Sequence, residues 1–276
     1  MTQPFHVDIT DGIATVTLDR PKANAIDAAT SCALGEAFAS FETNPDVRVV
    51  IYTAAGERFF SAGWDLGAAA DGEAFDSDYG VGGFGGFCEL PHRTKPVIAA
   101  VNGPALGAGC VLASVCDIRI ASEKATFGLP EINVGRCGGG AHMGRLVPPG
   151  LLRLMVFTGE PISAWEAHRV GLVEQLVNAK RLRPAAMELA QTIAAKSPIG
   201  LRLGKESINK AEFMQVEDGY AMEQTYSTRL LQTEDAREAT RADACSDSSR
   251  AGDRKLMLAE SIRAEKYANS AWNEKR

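Results

Sequence analysis

Apolar and polar positions alternate from residue 7 to residue 18, with Val7 and Ile9, then Ala14, Val16 and Leu18, forming the apolar side. Asp11-Gly12 sits between the two stretches. That pair tolerates the positive backbone angles of a two-residue turn, so the chain is predicted to open with an antiparallel hairpin. Asp27 is placed to cap a helix in which Leu34, Phe38 and Phe41 recur at spacings of four and three. Residues 47–53 form a short, β-branched, almost wholly apolar run, the pattern of a strand buried on both faces. A second cycle follows: a strand over 96–101, a glycine-broken turn, a helix to about residue 116, and a strand over 118–121. Strand–turn–helix units repeated in this way predict an α/β core with parallel strands. From Ser163, which forms a capping-box signature with Glu166, the pattern turns helical, with segments near 181–196, 199–211 and 216–231. The expected division is an α/β core over 1–195 and a helical region over 196–276.

Residues 71–88 interrupt the regularity. They hold Asp71, Glu73, Asp76 and Asp78, then five glycines between Gly80 and Gly86. A long glycine-rich loop of this kind is expected to be functional or mobile rather than filler. The 276 residues are 45% hydrophobic and 23% charged, the balance of a soluble globular protein and not of a disordered one. A net charge of -6 argues against a surface that coats nucleic acid, while leaving room for a few lysines around a phosphorylated ligand. No apolar run reaches membrane-spanning length, and the first residues lack the basic flank and apolar stretch of a signal peptide. The six cysteines contain no C-x-x-C pair. The expectation is a cytoplasmic protein with reduced thiols and no metal site, in which Cys110, Cys116 and Cys137 serve packing.

Three segments carry candidate chemistry. Phe59-Phe60-Ser61-Ala62-Gly63-Trp64-Asp65-Leu66 leaves a buried strand through a tight turn. Asn102-Gly103-Pro104-Ala105-Leu106-Gly107-Ala108-Gly109-Cys110 joins a strand to a helix. Phe127-Gly128-Leu129-Pro130-Glu131-Ile132-Asn133-Val134-Gly135 brings a carboxylate after a proline. Small residues in the first two let the backbone approach a ligand, and a helix start offers N–H groups without helical partners. Two such turns side by side can aim two donors at one oxygen, the requirement of an oxyanion hole. A dinucleotide fingerprint at Gly107-Ala108-Gly109 fails, because the third glycine it needs falls on Leu112.

Together with Leu18-Asp19-Arg20-Pro21-Lys22-Ala23-Asn24-Ala25, Lys95-Pro96-Val97-Ile98-Ala99-Ala100-Val101-Asn102-Gly103, and Thr158-Gly159 before Ile162-Ser163-Ala164, these segments resemble the enoyl-CoA hydratase/isomerase (crotonase) superfamily from about residue 5 to about 238. The stretches around Ala23-Asn24-Ala25 and Gly63-Trp64-Asp65 look most like its carnitinyl-CoA dehydratase branch. The resemblance implies a crotonase-like spiral of ββα units with a C-terminal helical trimerisation region, assembled as a homotrimer or homohexamer. It implies a coenzyme A thioester as substrate, with no cofactor beyond the coenzyme A it carries. Position by position it puts the two oxyanion donors on the backbone N–H groups of Trp64 and Ala108. It puts coenzyme A contacts on Lys22, Ala23, Ala62, Asp65, Leu66 and Gly107, and proton transfer on Glu131.

Departures from the family pattern are as informative. The first of the two hydratase glutamates falls on position 111, which is Val111. Two carboxylates hold and activate a water, whereas one suffices to move a proton between carbons. The expected chemistry is therefore isomerase- or lyase-like, through an enolate with Glu131 as single proton carrier. A conventional enoyl-CoA or carnitinyl-CoA hydratase, and a catalytically weakened coenzyme A binding protein, are the alternatives. Asp78, Tyr79, Glu89, His92 and His142 are candidates for a replacement acid. Arg136-Cys137-Gly138-Gly139-Gly140 stands where the family often has Ile-Pro-Gly, and Arg241-Ala242-Asp243-Ala244-Cys245 replaces a familiar terminal stretch.

Overall fold

β1 (Phe5–Thr10) and β2 (Ile13–Leu18) form the predicted hairpin, Phe5 opposite Leu18 and Thr10 opposite Ile13. Asp11 and Gly12 have φ of 52° and 81°, the pair of positive angles that a tight hairpin turn demands. A computed structural model describes residues 3–74 and 76–237; the Arg241–Cys245 stretch and the tail from residue 244 lie outside the described residues. β1 is an edge strand, so Val7 and Ile9 stay exposed although their alternation suggested a buried face.

The chain continues through α1 (Ala28–Thr43), β3 (Val49–Ala54), α2 (Leu66–Ala70), β4 (Val97–Val101), β5 (Ala105–Leu106), α3 (Ala108–Ser114), β6 (Ile118–Ser122) and β7 (Thr126–Gly128). Then come α4 (Gly140–Met143), α5 (Pro149–Thr158), β8 (Ile162–Ser163), α6 (Ala164–Arg169), β9 (Gln175–Val177), α7 (Leu182–Ala194), α8 (Pro198–Ala211) and α9 (Val216–Leu231). A six-stranded sheet runs β1-β2-β3-β4-β6-β9, parallel throughout after the hairpin, and β5-β7-β8 form a second, smaller sheet. The short strands β5, β7, β8 and β9 carry too few residues to show a period, and the sequence pattern does not reveal them.

The continuous apolar run of β3 is explained by its two covered faces. Ile51 and Val49 join Ile98, Ala100 and Ile120 against α7, while Val50 and Tyr52 face Leu34 and Phe38 of α1. Asp27 caps α1 as expected, its carboxylate accepting from Thr30 N–H at 2.8 Å. Ser163 likewise accepts from Glu166 N–H at 3.1 Å, but the Glu166 carboxylate turns to Arg169 and only half of the capping box forms.

Two compact units emerge, Met1–Glu206 and Ser207–Arg276. The first takes in the opening of α8, where the Lys205 ammonium bonds the Asp117 carboxylate and the Lys95 carbonyl, both at 2.7 Å. In the second, Lys210 donates to the Tyr226 hydroxyl at 2.6 Å, while Val216, Tyr220 and Leu231 of α9 are exposed. No described helix is long and apolar enough to cross a membrane.

Candidate active site

The stretch from Ala23 to Ile26 lies edge to edge with the turn after β3. Ala62 N–H donates to the Ala23 carbonyl, Ile26 N–H to Gly63, and Asp65 N–H to Ile26. Trp64 thus sits at a parallel bridge with Ile26, and its own N–H points away from that residue. Asn24 holds this junction from beneath: buried and left-handed at φ 51°, it donates to Phe59 and Ala55 carbonyls and accepts from Arg20 N–H. The buried Ser61 hydroxyl donates to the Asn24 carbonyl at 2.7 Å and accepts from Gly63 N–H at 3.1 Å.

Against this turn packs the start of α3. Leu106 N–H donates to Ser61, and Ser61 forms a parallel bridge with Ala105. The approach is so close that a Cβ at Gly63, where φ is +84°, would come within 2.8 Å of the Ala108 nitrogen. One at Gly109 would come within 2.3 Å of the Ser61 carbonyl oxygen. Ala108 is the first residue of α3, and its cap, Gly107, has no side chain to meet the helix-start N–H groups. Trp64 and Ala108 are thereby brought onto adjoining turns.

Glu131 occupies a short 3₁₀ turn over Pro130–Val134 and leans over Gly107, whose added Cβ would meet its Oε1 at 3.3 Å. Its Oε2 is buried with no hydrogen-bonding partner among the described residues. Burial raises its carboxyl above the ordinary range, opposed only by a bond to its own backbone. These groups open on a cavity of about 730 Å³. Of the residues expected from the sequence, Ala62, Trp64, Leu66, Gly107, Ala108, Glu131 and Val111 line it.

Lys22, Ala23 and Asp65 are not among the lining residues. Lys22 is exposed at the outer end of the Ala23–Ile26 ladder. Asp65 caps α2, accepting from Gly67 and Ala68 N–H, and pairs with Arg20 at 3.2 Å. Of the replacement acids, Asp78, Tyr79, Glu89 and His142 reach the cavity wall and His92 does not. Burial, with Arg145 and Arg93, holds the His142 imidazole below its ordinary pKa, and Glu89 opposes them. The 71–88 segment proves to be wall rather than excursion: Gly82, Gly83, Gly85, Gly86 and Phe87 are buried, and Phe87 stacks on Phe38 of α1 at 4.3 Å.

Cys110 and Cys116 are buried, their thiols pushed up to about 12, as packing residues should be. Cys137 instead is exposed on the cavity wall, where it precedes the Gly139 cap of α4. Arg136 and Glu73 also prove part of the site. The Arg136 guanidinium lies 4.3 Å over the Trp64 ring, and Glu73 accepts from the Trp64 indole N–H at 2.8 Å. No periodicity marks either; Glu73 stood out only as one acid of an acid-rich loop. No group of His, Cys, Asp and Glu able to hold a metal occurs among the described residues.

A family model described as enoyl-CoA hydratase/isomerase matches residues 8–243. Carnitinyl-CoA dehydratase of Salmonella typhi is 45% identical over 249 residues, 88% of this chain and 95% of that protein. Among solved structures, enoyl-CoA hydratase from Bacillus anthracis superposes with a TM-score of 0.82 at 34% identity, covering 88% of this chain and 96% of the other. Enoyl-CoA hydratase from Mycobacterium tuberculosis H37Rv gives 0.81 at 33%, with the same coverage.

The contact between the two turns predicts the effect of one methyl group. Gly63→Ala is expected to lower the melting temperature by several degrees, since it combines a positive φ with a backbone collision. Thermal unfolding of the purified variant checks this, and an unchanged midpoint would mean that the turns are not in close contact.

Proposed function

The chain belongs to the enoyl-CoA hydratase/isomerase family, and from that premise we propose that it transfers a proton on an acyl-CoA thioester with Glu131 as the carrier. The observation that carries this reading is the Glu131 carboxyl: buried, with one oxygen unpartnered among the described residues, and facing the cavity beside the Ala108 turn. In this reading the thioester oxygen lies between Trp64 N–H and Ala108 N–H. Glu131 takes a proton from a carbon of the acyl chain, the C–H electron pair moves into the enolate, and the negative charge settles on that oxygen. Two preset donors stabilise the charge as it develops, each worth about 10²–10³ in rate. Returning the proton to a different carbon completes an isomerisation. In the same reading the loop from Ala62 to Leu66 meets the adenine end of coenzyme A, Gly107 borders the bound substrate, and the exposed Lys22 approaches the phosphates.

Val111 supports the single-carrier version, because an isopropyl group cannot hold a water. The likeness to carnitinyl-CoA dehydratase supports a second version, the reversible loss of a β-hydroxyl from a carnitinyl-type thioester. That chemistry needs an acid for the departing hydroxyl, and Asp78, Tyr79, Glu89 and His142 on the cavity wall are the candidates for it. A homotrimer or homohexamer belongs to the same proposal. Phe157, Trp165 and Leu154 on the first unit, and Val216 and Leu231 on the second, are 59–83% exposed, apolar side chains that subunit contacts would cover.

Glu131→Gln is expected to reduce isomerisation of a short 3-enoyl-CoA by about 10²–10⁴ while the acyl-CoA still raises the melting temperature. The same variant has a stability signature. A carboxyl whose folded pKa is raised stabilises the fold fully below the unfolded pKa and loses that contribution as pH rises through the folded value. Glu131→Gln should therefore melt higher than wild type at pH 7 and equal to it near pH 4.

Val111→Glu restores the second carboxylate and is expected to add measurable hydration of a 2-enoyl-CoA. A folded variant that binds acyl-CoA and gains no hydration would show that more than this residue separates the protein from a hydratase. Light scattering at micromolar concentration is expected to give three or six times the chain mass; a monomeric mass would refute the assembly.

A further inference from the structure

Glu73 accepts two hydrogen bonds, one from nine residues away and one from 45. One carboxylate oxygen accepts the Trp64 indole N–H at 2.8 Å, and the other accepts the N–H of Ala28, the first residue of α1, at 3.0 Å. The 16-residue helix α1 is buried against the sheet through Leu34, Phe38 and Phe41, so this anchor is rigid. On the other part of the indole, the Arg136 guanidinium stacks at 4.3 Å, and Arg136 N–H bonds the Glu131 carbonyl at 2.9 Å. The contacts therefore run unbroken from the start of α1 through Glu73, Trp64 and Arg136 to Glu131. The order of charges is cooperative. A carboxylate that accepts the indole N–H pushes electron density into the ring, and a more negative ring face holds a cation more strongly.

We propose that Glu73 is the positioning residue of this site: by tying the Trp64 indole to α1 and seating it under Arg136, it fixes both the Trp64 peptide and the turn that carries Glu131. The proposal rests on the reading above, in which that peptide and that carboxyl act on an acyl-CoA. It also gives the acidic 71–79 stretch a task, since Glu73 fastens one end of the segment whose Asp76–Phe84 part walls the cavity. A displacement of either reacting group by an ångström is enough to cost about 10²-fold in rate.

The test is a double-mutant cycle with Glu73→Gln and Trp64→Phe. Glutamine keeps the volume but must point its NH₂ at one of the two donors that the carboxylate bridges. Phenylalanine keeps a ring and the peptide N–H while removing the indole N–H. Each single variant is expected to lower kcat by roughly 10–100-fold with little change in KM, and the double variant is expected to be no worse than the weaker single one. Effects that multiply, or an unchanged kcat in Glu73→Gln, would overturn the proposal.

A readout without substrate accompanies the cycle. With three tryptophans in the chain, Trp64→Phe assigns the Trp64 indole N–H resonance in a ¹⁵N spectrum of the wild-type protein. That resonance is expected to move upfield in Glu73→Gln; an unmoved resonance refutes the bond. If no acyl-CoA binds or reacts even with the wild type, the acyl-CoA reading fails, and the resonance alone then decides whether Glu73 holds Trp64.

Discussion

Two backbone turns meet in this protein with no side chain between them, and the site exists because of that contact. Gly63 presents its Cα to the Ala108 nitrogen, and Gly109 presents its own to the Ser61 carbonyl, at distances that leave no room for a methyl group. The turns cannot separate without breaking the Leu106–Ser61 bond and the bonds that Phe60 and Ser61 N–H make to the Pro104 carbonyl. Backbone donors placed this way need no reorganisation when charge develops before them. Everything else around the cavity is arranged on this junction: Glu131 leans over Gly107, and Trp64 extends from the far turn.

The cavity wall carries two titratable groups that burial shifts in opposite directions. Glu131 is raised by burial, so its carboxylate forms at a cost in stability and takes up a proton readily. His142 is lowered, which leaves it neutral and able both to donate and to accept near neutral pH. Val111 lines the same cavity as a plain hydrocarbon, its Cγ2 only 3.1 Å from where a Cβ on Gly139 would stand. The titratable groups on the cavity wall thus come from several loops rather than from one helix and one turn.

The glycines of 80–86 illustrate how composition can mislead. Read as a string they resemble a mobile excursion. In the fold they are a packing device: a Cβ at Gly85 would strike Leu112 at 2.3 Å, and one at Gly86 would strike Leu34 at 2.5 Å. The segment is glycine-rich because it passes between α1 and α3 where side chains do not fit.

The sequence by itself determined the parts that depend on short-range pattern. The Asp11-Gly12 hairpin, the Asp27 cap, the doubly buried β3 and the strand–turn–helix cycle through Ala108 all follow from period and turn chemistry, and the ordered motifs were specific enough to point to the family and to Glu131. Tertiary structure decided what depends on long-range placement. Whether Asp78, Glu89, His92 or His142 reaches the cavity is set by the path of two loops, and no local rule encodes it. Val7 and Ile9 were legible as strand, but not as an exposed edge. That the Asp65 carboxylate is turned to α2 and Arg20 is likewise visible only in the fold. Glu73 stood out only as one acid of a loop and Arg136 only as part of a departure from the family pattern, and nothing in the sequence linked them. Their importance comes from meeting on one indole ring from positions 63 residues apart (136 − 73), and only the folded chain brings them there.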